Sequence, residues 1–166
     1  MGHRFQLPPT SRWVLQLFVF FMLGFSMMRV LTFFSFRPDD VSFAEALPSF
    51  LMGLRFDLRW VSIILAPILI AGSLKRFSPF QSSAHRKFWI YYLVVVSSFL
   101  LFFFGADFGH FDYVETRLNA SALNFIEDFA ISMRMLWQSY PLLWIFLLLS
   151  VIIYFLYRFF HNSHAK

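Results

Sequence analysis

Two stretches of this sequence hold residue types able to do chemistry inside an otherwise apolar chain. The first is Gly53-Leu-Arg55-Phe-Asp57-Leu-Arg59-Trp60. A guanidinium binds carboxylates and phosphates through its planar fork, so this cluster suits either an ion pair or an anionic headgroup. On a helix, Arg55 and Arg59 share a face at i, i+4. Asp57 then needs an Arg from another helix, and Arg29 is the candidate. The second stretch is Asp107-Phe-Gly-His110-Phe-Asp112-Tyr-Val-Glu115. An imidazole among carboxylates can ligate a metal, which makes Asp107, His110, Asp112 and Glu115 metal candidates. Their spacing matches no strong metal motif.

Other chemistry is missing from the pattern. The sequence contains no Gly-x-Ser-x-Gly, no His-Glu-x-x-His and no Gly-rich phosphate loop. Nothing assembles a nucleophile, a base and an oxyanion site, so no catalytic residue is assigned and the chain alone reads as non-enzymatic. With no cysteine, disulfides and thiolate metal sites are excluded.

The elements that must position these residues follow from composition. The chain has 166 residues, 59% hydrophobic and 14% charged. Soluble domains carry about 25% charged residues, and mean hydropathy here is +0.65. Four segments, 13–34, 50–74, 88–105 and 142–160, approach the roughly 20 apolar residues of a membrane-spanning helix. They are continuously apolar and do not alternate with period two, so strands are a poor alternative. The first run exceeds the roughly 7–15 residues of a signal-peptide core and reads as an uncleaved anchor. Within 107–140, apolar residues recur at 123, 126, 129, 130, 133, 136, 137 and 140. That helical spacing predicts an amphipathic helix, ended by Pro141, lying on the outer leaflet; a helix packed under a soluble domain is equally consistent. The predicted fold is all-α, a single polytopic membrane domain of four transmembrane helices with one amphipathic outer-face helix.

Charge sorts by segment. Residues 1–12, 74–87 and 158–166 hold eight basic residues and no acid. All nine acids fall within 29–59 and 107–140. The net charge of +5 is therefore the difference between a side of +8 and a side of −3. The positive-inside rule places both termini in the cytoplasm. The basic residues are spread over three short segments without a binding module. The expected partners are membrane lipids and not nucleic acid.

Arg59 would lie deep in the second span, where a charge costs a few kcal/mol. Two readings stay open. The helix starts nearer Phe43 and the arginines snorkel to phosphates, or the cluster of Arg29, Arg55, Asp57 and Arg59 lines a polar cavity for an anionic lipid headgroup.

The order of features carries a resemblance. An anchor ends in Arg and aromatics. Gly53-Leu-Arg55-Phe-Asp57-Leu opens a second helix that contains Pro67. A basic turn follows, and the third helix ends in Ala106-Asp107-Phe-Gly-His-Phe-Asp-Tyr113, ahead of Arg117-Leu-Asn-Ala. This resembles the N-terminal membrane region of the lipoteichoic acid synthase family, the sulfatase-like phosphoglycerol and phosphoethanolamine transferases of the bacterial cell envelope. The resemblance implies a five-helix anchor followed by an extracytoplasmic catalytic domain with a Thr nucleophile and Mn or Mg. Neither is in this chain, so no cofactor and no family catalytic residue is carried over. The chain looks like a family member that stops after its fourth helix. Its expected job is anchoring and offering a headgroup-facing surface, with a catalytic domain or protein partner on the outer side. The alternative is a small accessory or scaffold protein that binds a partner through its helices. A transporter is disfavoured, because inverted repeats and broken helix pairs are lacking.

Overall fold

Pro9 stands at the first helical position, where its missing N–H leaves no bond unmade. In the computed structural model it opens α1 (Pro9–Phe36). Three further long helices follow: α2 (Phe43–Ala71), α3 (Ser83–Val114) and α4 (Leu142–His164), with a 3-10 turn at Lys75–Phe77. The structure describes residues 8–37, 42–114, 133–134, 137–138 and 140–164. All regular structure among them is helical.

Local chemistry sets the helix ends. α1 stops at Arg37, whose ψ of 138° is the extended conformation required of a residue that precedes proline. α2 starts with a capping box. The Ser42 hydroxyl accepts from the Glu45 N–H at 3.3 Å, and the Glu45 carboxylate accepts from the Ser42 N–H at 2.8 Å. This box explains why the helix begins at Phe43 and not at 50. α3 starts behind Ser82, whose hydroxyl accepts from the Ala84 N–H at 3.3 Å.

The Glu45 carboxyl is held below its ordinary value of 4.5, first by the hydrogen bond from the Ser42 backbone and then by the Ser42 side chain. A depressed folded-state value means the contribution is complete above the unfolded value and disappears as pH falls through the folded one. Amide protection in the first turn of α2 is therefore expected to fall as pH drops below 4.5. Glu45→Gln, which cannot titrate, is expected to show no such step in hydrogen exchange.

Among the described residues, three helices are long and apolar enough to cross a membrane: α1, α3 over Ser83–Asp112, and α4 over Leu142–Ser163. At 29 residues α2 is one residue longer than α1, but Arg55, Asp57 and Arg59 interrupt its apolar part. α3 runs past 105 to Val114. Gly105 and Gly109 do not break it, since a glycine costs only about 1 kcal/mol in a helix that apolar surroundings stabilise. Residues 107–114 thus continue α3. Of the predicted amphipathic helix, 133–134 and 137–138 are helical, and 115–132 lie outside the described residues.

Chain contacts form two units, residues 1–93 with 161–166 and residues 94–160. In the first, α1 and α2 run antiparallel and pack together. Trp13, Leu17 and Phe21 form one buried stripe, and Val61, Ile64, Leu65 and Ile68 the other. Both follow helical spacing. Pro67 removes the donor for the Ile63 carbonyl. Beside that gap, the Tyr92 hydroxyl of α3 donates to the Ile64 carbonyl at 2.9 Å. This bond ties α3 to α2 one residue from the proline gap. In the second unit, the Tyr140 hydroxyl donates to the Gly109 carbonyl at 3.3 Å.

Candidate functional site

Asp57 continues the buried stripe of α2, at i−4 from Val61, and is 6% exposed. A lone carboxylate there would be expensive to bury. Arg29 of α1 answers it: one guanidinium nitrogen lies 2.6 Å from Asp57 Oδ2, and the other donates to the Phe50 carbonyl at 3.2 Å. Phe50, Gly53 and Asp57 sit at i, i+3 and i+7, on one helix face. The guanidinium lies flat on Gly53, where any Cβ would overlap it. Gly53 thus makes room for a side-chain end, which a Cβ would push aside, and no unusual backbone conformation calls for glycine there. Side-chain exposures of 23% for Arg29 and 9% for Asp57 make this a largely desolvated, charge-assisted pair.

An aromatic group closes the same end of the α1–α2 pair. Phe33 meets Phe43 and Phe50 edge-on, with ring centroids 5.9 and 5.5 Å apart. The Arg37 guanidinium stands over the Phe33 and Phe34 rings.

Arg55 and Arg59 are placed elsewhere. At 100° per residue, Asp57 lies about 200° around the helix from each of them. Asp57 faces α1, whereas both arginines are exposed and have no hydrogen-bond or ion-pair partner among the described residues. The predicted cluster of four therefore separates into a buried pair, Arg29–Asp57, and an exposed pair of cations. Sequence reasoning missed Gly53 as a cradle and the Phe50 carbonyl as a second acceptor. The available signal was a glycine one turn before a charge that must face another helix.

Asp107, His110 and Asp112 all lie on α3. Asp107 and His110 are about 60° apart, and Asp112 points about 160° away from His110. Among the described residues, no group of three or more His, Asp or Glu could hold a metal. Glu115 lies outside the described residues.

These helices and this interhelical pair fit a membrane protein with an ion pair built into its helix packing. No protein-family model, no curated protein and no solved structure matches the chain.

Proposed function

We propose that the chain is a bacterial inner-membrane anchoring domain with four spans and both termini in the cytoplasm. It resembles the membrane region of the sulfatase-like phosphoglycerol and phosphoethanolamine transferases, and presents a headgroup-facing surface near Arg55 and Arg59. It performs no catalysis alone; any catalytic domain or protein partner acts from the outer side.

The observation that carries this reading is the register of α1 on α2. The Thr10 hydroxyl donates to the Gly72 carbonyl at 3.5 Å, which pins one level. The Arg29–Asp57 pair pins another. At 1.5 Å per residue these levels are roughly 22 Å apart along α2 and roughly 28 Å along α1. The hydrocarbon core is about 30 Å thick. Arg12, Lys75 and Arg76 flank the first level. If that level is the basic, cytoplasmic face, the ion pair lies near the opposite boundary, and α2 crosses as the fourth span. Arg55 and Arg59 then reach outer phosphates by snorkelling.

The absence of cysteine makes a clean test. In spheroplasts, a membrane-impermeant maleimide is expected to label Ala44→Cys, and to label Gln81→Cys only after permeabilisation. Equal labelling of the two, or the reverse order, would overturn the topology. The accessory-protein reading draws on α4, where Leu143 to Leu148 are all exposed and offer apolar surface around the whole helix.

A further inference from the structure

We propose that Arg55 and Arg59 together grip one phosphodiester group of an anionic phospholipid, whose acyl chains lie along the neighbouring face of α2. The placement in the outer leaflet rests on the topology proposed above; the pairing of these two residues with one phosphate does not.

Helix geometry supplies the cation pair. Residues four apart have Cβ atoms about 5–6 Å apart, so two long guanidinium side chains can converge on a single phosphate. Arg29 consumes the only acid between 46 and 71, and Asp57 points away from both arginines in any case. Among the described residues, the exposed face therefore carries two permanent positive charges and no compensating negative one. Both charges sit in an apolar surface, where an unanswered cation costs a few kcal/mol.

The surrounding side chains say what kind of anion fits. Met52, Phe56 and Ile63 are 65%, 54% and 53% exposed. Measured around the helix from Arg55, they lie at about 60°, 100° and 80°, with Arg59 at about 40°. Charge and apolar surface thus share one sector. Free phosphate would satisfy the arginines and leave this surface bare; a lipid satisfies both. A zwitterionic headgroup brings its own ammonium toward two guanidinium groups, whereas a monoanionic headgroup does not. The expected ligand is an anionic glycerophospholipid.

The test uses the full chain in phosphatidylcholine nanodiscs. These are doped with either a phosphatidylglycerol or a phosphatidylcholine analogue carrying a diazirine high on one acyl chain. Cross-linked peptides are mapped by mass spectrometry. The phosphatidylglycerol probe is expected to label 52–63 about fivefold or more over the phosphatidylcholine probe, a difference within reach of one or two charge-assisted contacts. Arg55→Gln/Arg59→Gln is expected to abolish that preference, and Lys75→Gln/Arg76→Gln to leave it intact. Soluble glycerophosphate and inorganic phosphate are expected not to compete; effective competition would make this a free-phosphate site and overturn the lipid assignment. Equal labelling by both probes, or a preference that survives in Arg55→Gln/Arg59→Gln, overturns the proposal. Should the double variant not fold, Arg59→Gln alone is expected to lose at least half of the preference, and an unchanged preference overturns it equally. The two readings fail separately. Reversed maleimide labelling sinks the orientation, while loss of arginine dependence sinks only the phosphate clamp.

Discussion

Arg29→Ala is expected to destabilise the α1–α2 pair by about 3–5 kcal/mol, the range for removing one partner of a buried ion pair. The physical reason is asymmetric. The variant leaves the Asp57 carboxylate, 6% exposed in the intact pair, on an apolar helix face without its cation. It also strips the Phe50 carbonyl of its second donor. Asp57→Ala is expected to be comparably harmful, because it strands the guanidinium against an apolar helix face. Replacing both partners tells a structural pair from a functional one. Arg29→Met/Asp57→Leu removes both charges together, and such swaps are often neutral or stabilising. It is expected to recover most of the loss. Gly53→Ala is a gentler probe of the same contact: the new methyl group displaces the guanidinium that Asp57 holds in place. Denaturant titration in mixed micelles, followed by far-UV circular dichroism, reads all four variants. A loss below about 1 kcal/mol for Arg29→Ala would place the pair with weak surface salt bridges and remove its role as a pin between α1 and α2.

Trp13→Ala is the second large effect expected, at the other end of the same two helices. Trp13 is 2% exposed, donates from its indole N–H to the Ser163 hydroxyl at 3.1 Å, and meets the Phe80 ring edge-on at 6.3 Å. It therefore ties the start of α1 both to the basic turn and to the end of α4. In a membrane, the unfolded reference stays in lipid, so the hydrophobic transfer term largely falls away. The cavity term of about 24 cal/mol per Å³ remains, and leads to a loss of ~2–3 kcal/mol for an indole-sized void that does not collapse. Trp13→Phe keeps most of the volume and deletes the N–H, so it is expected to lose about 1 kcal/mol, the worth of one hydrogen bond. Thermal unfolding in the same micelles separates the two. Equal losses in both variants would assign the effect to the Ser163 bond and not to packing.

The two variants probe pins that differ in how visible they are before folding. That Asp57 needs a partner is written in its position: a single carboxylate within an apolar helix cannot stay unpaired. Arg29 stands out because it is the one charge within its own apolar run. Trp13 carries no such signal, since an aromatic near the start of a span reads equally well as a lipid-facing belt residue. Its burial depends on Phe80 and Ser163, which lie 67 and 150 residues away in sequence, and no local pattern announces that meeting.

Helix limits divide in the same manner. Pro9, the Arg37–Pro38 step and the Ser42–Glu45 box are local devices, and each marks its helix end through bonds within a few residues. The end of α3 is not local. Gly105, Gly109 and three polar residues suggest a break after 105, yet the helix continues to Val114. A glycine's small penalty is easily outweighed by the unbroken backbone hydrogen bonding that an apolar environment enforces.

The scarcity of charge and its sorting into all-basic and acid-bearing segments belong to the sequence alone, because both depend only on which residues occur and in what order. So do the helical class and the i, i+4 alignment of Arg55 with Arg59, which follow from the period of the helix. What the tertiary structure decided is the fate of the four-residue charge cluster. Only the antiparallel seating of α1 on α2 brings Arg29 over Gly53 to Asp57. Because a guanidinium can satisfy a buried carboxylate only at contact distance, that seating neutralises Asp57 and leaves Arg55 and Arg59 as an exposed, unpartnered pair among the described residues.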